Sequence, residues 1–307
     1  MPHMRAPILI IKLGDTSPEI AAAHGDFEDW VRAGLDAAGT GLPVEVLDPR
    51  ADAGATLPRI IGVASSAGAS ASAGGNMRAG ADAHAEAHAG GARADAGAGV
   101  SATGGDAGAI AAAGVVLTGS HAMVTDREPW SEATARWLAR LVAADAAPVL
   151  GICYGHQLLA HALGGEAGWH PRGDELGNAA IRLRPEADDD ALFAGFPRVF
   201  SAAVSHSQTV PRLPPGAVLL AENDFEPHHA FRVGARAWGV QFHPEFSADI
   251  SRLYLDCAGA GLRAEGRDLA AVRAGIEATP FAASVLPRFA RIAAAGAGHG
   301  ATDVTRL

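Results

Sequence analysis

Short apolar runs, each closed by a glycine or a polar turn, alternate along the chain with segments whose apolar residues recur every three or four positions. Residues 7–13 (PILIIKL) form a β-branched run ending at Gly14-Asp15, the pattern of a buried strand that enters a loop. Over 27–38, Phe27, Trp30, Val31 and Leu35 fall at helical spacing and Gly39 closes the helix. Residues 43–47 predict a second strand, and 115–117 a third that runs into Thr118-Gly119-Ser120. An amphipathic helix is predicted over 130–143, with Trp130, Trp137, Leu138 and Leu141 on one face; a strand over 148–152 and a helix over 154–163 follow. Because the strands are apolar throughout, both of their faces must be covered. The expected fold is α/β, an open, mostly parallel sheet with helices on both faces. Closely spaced strand candidates at 179–183, 198–204, 217–221, 229–233 and 237–241 add a small antiparallel element before the final helices.

Residues 64–109 break this pattern. They are nearly all Ala, Gly, Ser, His and Asp, without Leu, Ile, Phe, Trp or Tyr. Such a segment buries too little apolar area to offset its ordering entropy, and is expected to be a disordered surface insertion. The expected organisation is one domain over 1–260, interrupted at 64–109, then a C-terminal helical extension over 261–307. His84 and His88 lie four apart inside the insertion, a spacing that can hold a metal on a helix. An Ala/Gly tract offers no packed frame for them, so the segment reads as a linker and no metal site is expected.

Charge and cysteine usage narrow the function classes. A net charge of -10, without a run of Lys and Arg, repels a phosphate backbone and argues against a nucleic-acid partner. The two cysteines, Cys153 and Cys257, form no CxxC or Cys/His ladder, which argues against a disulfide framework or structural zinc. Near the N-terminus the apolar run from Ile8 to Ile11 stops at Lys12, too short for a signal core or a membrane span. A cytoplasmic protein without a membrane partner is expected.

Chemistry concentrates in two places. In PVLGICYGHQLLAHALGG (148–165), a buried strand feeds Gly151-Ile152-Cys153-Tyr154-Gly155 and a helix starts at once. This is the cysteine form of the G-x-S-x-G nucleophile elbow, in which the glycines permit a sharp turn that lifts the nucleophile out of the sheet. The helix N-terminus behind the sulfur favours thiolate. A thiol also needs a base, and the base an orienting group. WGVQFHPEF (238–246) offers His243 as base and Glu245 as its partner, with Pro244 biasing His243 toward an extended backbone. Cys257, in a late helix, is expected to be packed.

The combination of GICYGHQ and VQFHPEF resembles the class I glutamine amidotransferases, over roughly residues 5–63 and 110–255. The resemblance implies a flavodoxin-like sheet and a Cys153–His243–Glu245 triad that releases ammonia from the glutamine side-chain amide through a cysteinyl thioester, without a cofactor. It implies an oxyanion hole from the backbone N–H groups of Tyr154 and Gly119, although the family's paired glycine is here Gly119-Ser120. Gln157 resembles the residue that contacts bound glutamine. Ser205 and His206, in a Ser-His-Ser-Gln stretch, resemble the loop beside the glutamine pocket. HPRGDELG (170–177) falls where the family closes over the amino-acid end of glutamine, which makes Arg172 and Glu175 candidates to pair with its charges. No G-x-x-x-x-G-K-[ST] phosphate loop and no synthetase-sized segment follows. The expected partners are therefore glutamine and either a separate ammonia-accepting synthetase subunit or an unrecognised acceptor substrate. The alternative enzyme is a γ-glutamyl peptidase or hydrolase with the same triad, and a non-catalytic scaffold of the same fold is a reading of another class.

Overall fold

The apolar runs form the strands. In a computed structural model that describes residues 5–54, 57–61, 109–264, 266 and 268–298, the chain begins with β1 (Ile8–Ile11), α1 (Pro18–His24), α2 (Phe27–Asp36) and β2 (Val44–Leu47). Next come the two-residue strands β3 (Ile60–Ile61) and β4 (Ile110–Ala111), then β5 (Gly114–Leu117), α3 (Pro129–Ala143), β6 (Val149–Ile152) and α4 (Tyr154–Ala162). The strands β7 (Glu166–Trp169), β8 (Glu175–Leu183), β9 (Val199–His206), β10 (Gln208–Arg212), β11 (Val218–Glu222), β12 (Ala230–Val233) and β13 (Ala237–Val240) follow. Helices α5 (Ala248–Ala264), α6 (Leu269–Ala274), α7 (Pro280–Ala283) and α8 (Val285–Gly298) complete the described chain. The segment expected to be a disordered insertion, with His84 and His88, lies outside the described residues except for residue 109.

The main sheet has nine strands in the order β2-β1-β5-β6-β13-β12-β11-β8-β9. From β2 to β13 the neighbours run parallel. From β13 to β9 they run antiparallel, so the expected antiparallel element extends the same sheet. A separate antiparallel ribbon joins β7 to β10. Strands β1, β5, β6 and β13 are buried at every position, as a sheet covered on both faces requires.

The period-two alternation divides the core. Ile8 and Ile10 of β1 face one side with Val31 and Leu35 of α2 and Phe289 of α8; Leu9 and Ile11 face the other with Leu138 of α3 and Leu158 of α4. The C-terminal segment, expected as an extension, is no appendage where it is described. Leu286, Phe289, Ala290 and Ala293 are fully buried in the same core as β1 and α2. Gly34 permits this approach, since a Cβ there would come within 3.0 Å of the Leu286 Cβ. No helix among the described residues is long and apolar enough to cross a membrane.

The loop after β1 is fixed by charge. Lys12 bridges Asp15 at 2.9 Å, Asp26 at 3.0 Å and Glu28 at 2.6 Å. Asp26 also caps α2, in a capping box with Asp29. That fixes α2, and with it Phe27, at the C-terminal end of the parallel strands, where open α/β sheets place their sites.

Candidate functional site

Cys153 follows β6 directly and caps α4 with φ 50° and ψ -102°, a backbone region that non-glycine residues rarely occupy. The turn is possible because its flanking positions lack side chains. A Cβ at Gly151 would lie 2.6 Å from the Gly155 carbonyl carbon and 2.9 Å from the His156 nitrogen; one at Gly155 would lie 2.7 Å from the Leu117 oxygen. Tyr154 opens α4, so its N–H has no partner within the helix. The helix thus directs unpaired N–H groups and its positive end toward the sulfur.

His243 arrives from the neighbouring strand. β13 pairs in parallel with β6, Val240 opposite Ile152, and the Cys153 N–H donates to the Val240 carbonyl at 2.9 Å. Three residues beyond Val240, the His243 N–H donates to the Ala203 carbonyl of β9 at 2.8 Å. Its Nδ1 lies 2.8 Å from Glu245 Oε1, and its ring stacks on Phe246 at 4.0 Å. Against a carboxylate Nδ1 carries the proton, which leaves Nε2, buried and without a hydrogen-bond partner, for other work. Cys153 and His243 line one cleft, and the Cys153 Sγ sits 3.7 Å from the Ser205 carbonyl. Gly119, at the end of β5, completes the corner: a Cβ there would lie 3.3 Å from the His243 Cε1.

Electrostatics hold a proton on His243. Burial lowers its pKa, but the Glu245 carboxylate and the Cys153 sulfur outweigh burial and raise it from 6.5 to about 10. Between those values the folded chain binds a proton that the unfolded chain has released. The resulting stability is complete below about pH 6.5 and is lost as pH rises toward 10. We expect the unfolding free energy to fall over this window, by up to about 1.4 kcal/mol per pH unit for one linked proton, and His243→Gln to flatten that fall. Denaturant titrations of both proteins across pH 6.5–10 measure it; equal slopes would rule the charged imidazole out.

A second cavity of about 270 Å³ opens on the other side of Cys153, lined by Met123, Tyr154, Gln157, Asp174, Ser205 and His206 among others. Gln157 is buried rather than a surface amide. Its Nε2 donates to the Gln208 carbonyl at 2.7 Å and to Gln241 Oε1 at 3.0 Å, so its own Oε1 is the atom left for a ligand. His206 lies between two acceptors, Gln208 O at 3.0 Å from Nδ1 and Glu175 Oε2 at 2.9 Å from Nε2.

The structure corrects the expectation for Arg172 and Glu175. Besides His206, the Glu175 carboxylate accepts from Asn223 at 2.7 Å and lies 3.2 Å from His229 Nε2. Burial works against the charged form of Glu175, but these histidines hold its pKa below the usual carboxylate range. The carboxylate is thus occupied within the protein. Arg172 stacks 4.5 Å over the Phe225 ring and donates to the Asp224 carbonyl. Asp174, one residue before Glu175, is the carboxylate that lines the cavity.

Cys257 is a second correction, because it is exposed and lines the Cys153–His243 cleft instead of packing inside α5. His121 and Tyr254, which carry no motif of their own, line that cleft too. Only the four-residue step Ile250–Tyr254 along one face of α5 hinted at the tyrosine. Among the described residues no group of three or more His, Cys, Asp or Glu could hold a metal.

The family model for glutamine amidotransferase class-I matches residues 107–253. A glutamine-hydrolysing GMP synthase of Thermosipho africanus is 41% identical over 99 residues, 32% of this chain and 18% of that one. The A subunit of the glutamine-hydrolysing GMP synthase of Archaeoglobus fulgidus is 37% identical over 115 residues, 36% of this chain and 61% of that one. The match therefore spans less than two thirds of either relative. Among solved structures, a glutamine amidotransferase of Thermotoga maritima superposes with a TM-score of 0.59 at 18% identity, covering 95% of this chain and 99% of that one. One from Methylobacillus flagellatus superposes with a TM-score of 0.57 at 21% identity, covering 96% and 95%. These two likenesses speak to the fold, and residues 107–253, which hold both the Cys153 elbow and the His243–Glu245 motif, match the class I glutamine amidotransferase domain.

Proposed function

We propose that this chain hydrolyses the side-chain amide of glutamine, with Cys153 as nucleophile, His243 as acid and base, and Glu245 as the group that orients the imidazole. The observation that carries this reading is the unpartnered His243 Nε2, buried in one cleft with Cys153 while Nδ1 is fixed on Glu245. The amino-acid end of glutamine occupies the cavity beside Gln157, Ser205 and His206, with Asp174 near the α-amino group. The Cys153 sulfur attacks the amide carbon. The backbone N–H groups of Tyr154 and Gly119 receive the oxyanion, each supplying roughly 3 kcal/mol of transition-state stabilisation. His243 passes its Nε2 proton to the leaving nitrogen, the C–N bond breaks, and a γ-glutamyl thioester remains. Water, deprotonated by His243, then releases glutamate and restores the sulfur.

The ammonia acceptor belongs to a separate subunit. What supports this is that the Archaeoglobus relative is itself named a subunit. A diazoketone analogue of glutamine tests the site independently of any activating partner. We expect it to alkylate Cys153 with loss of N₂, and excess glutamine to protect. Label on Cys257 alone, or none on the folded chain, would refute the assignment.

A further inference from the structure

Two cavities meet at Cys153, and they differ in chemistry. The one beside Gln157 sets polar groups, among them Asp174, His206, Ser207 and Gln208, beside Met123 and Leu176. The other, of about 250 Å³, contains His243 and is lined by Ile20, Phe27, Tyr254 and Cys257, with Ser17 at its edge. Only the second contains the base. A γ-glutamyl group seated beside Gln157, with its carbonyl carbon on Sγ, therefore turns its leaving nitrogen toward His243 and into the second cleft.

That cleft is far larger than ammonia needs, since a molecule of that size occupies roughly the 30 Å³ share of a water. Its walls also define what could fill it. Ile20 and Phe27 belong to the aromatic cluster of Trp30, Phe246 and Tyr254. The Tyr254 hydroxyl is already bonded to Thr16 at 2.7 Å. No Lys, Arg, Asp or Glu lines the cleft. His121 does, but burial and then the charge of nearby His243 lower its pKa, which keeps its ring neutral. A carboxylate-bearing amine would find no cation there except His243, whose charge is already faced by Glu245 and the Cys153 sulfur, whereas an aryl or alkyl amine would find apolar walls.

We infer that the enzyme hydrolyses N-substituted γ-glutamyl amides whose leaving amine is apolar, such as γ-glutamyl arylalkylamines, in addition to glutamine. The inference rests on the proposed glutaminase chemistry and adds only the occupant of the leaving-group cleft. The atoms balance as for glutamine: the C–N bond breaks, His243 protonates the amine, and water supplies the hydroxyl of glutamate. Cys257, exposed on α5 at the mouth of the cleft, is the position at which a large side chain obstructs the amine without entering the core.

The test compares amine release from glutamine, γ-glutamyl benzylamide and γ-glutamylglycine by the full chain and by Cys257→Trp. For the wild type we expect kcat/KM for the benzylamide within about tenfold of that for glutamine and at least about tenfold above that for γ-glutamylglycine, the usual scale of discrimination by an apolar pocket. Cys257→Trp should lower benzylamide turnover at least about tenfold more than glutamine turnover. Cleavage of glutamine without cleavage of the benzylamide would overturn the inference and leave the glutaminase intact. Equal losses on both substrates in Cys257→Trp would also overturn it. Release from none of the three would remove both.

Discussion

Cys153→Ala lowers glutamate release from glutamine by on the order of 10⁴-fold or more, and leaves the protein folded. The size follows from what is removed. In the proposed mechanism there is no thioester without the sulfur, and the oxyanion donors and the glutamine pocket can act only on direct attack by water. The fold survives for local reasons, and the variant loses only the sulfur's share in holding the proton on His243. Alanine carries the same positive φ as cysteine, so the elbow is no more strained, and the sulfur's hydrogen bond to the Ser205 carbonyl, at 3.7 Å, is a weak one. His243→Ala should cost nearly as much, and the double variant little more than either, because the two groups act in one step. Glutamate and ammonia assays on the purified proteins, with thermal melts alongside, measure both halves of the expectation. Equal turnover by wild type and Cys153→Ala would end the assignment, while loss of activity accompanied by loss of fold would leave it unsupported by this variant and shift the weight to the diazoketone label.

How much of this was legible in the chain depends on whether the signal was local. β1, β5, β6 and β13 are apolar runs because helices cover both of their faces, so composition alone marked them. The start of β8 was hidden, since Glu175 and Asn178 are polar and Gly177, at φ 96°, breaks the alternation. β7 and β10 were missed for a related reason. They pair with each other in a two-stranded ribbon, and Pro211 in β10 reads against a strand. Cys153 and the His243–Glu245 pair were legible because each sits in a short motif whose geometry is set by its own turn. That Gln157 would be buried, that Glu175 would be occupied by histidines, and that α5 would bring Tyr254 and Cys257 to the cleft depended on packing between distant segments. So did the burial of α8 against α2, which turned an expected extension into part of the core.

The second large effect lies in the elbow itself. Gly151→Ala should destabilise the protein by about 3 kcal/mol or more, the upper end of what overpacking a rigid site costs. Its Cβ would collide with main-chain atoms of Gly155 and His156, the first turn of α4, and main chain cannot rotate away as a side chain can. Relief would require α4 to move off β6. Leu117 blocks part of that movement, because Gly155 already lies against its backbone and has no room to slide. Gly39→Ala separates this cost from ordinary backbone strain. Gly39 has φ 64°, yet nothing lies within 4 Å of where its Cβ would be, so its substitution should cost only about 1–2 kcal/mol. Urea unfolding of the two variants makes the comparison directly. If Gly151→Ala proved no costlier than Gly39→Ala, α4 would not be wedged against β6. The strained cysteine would then need another restraint to stay within reach of His243.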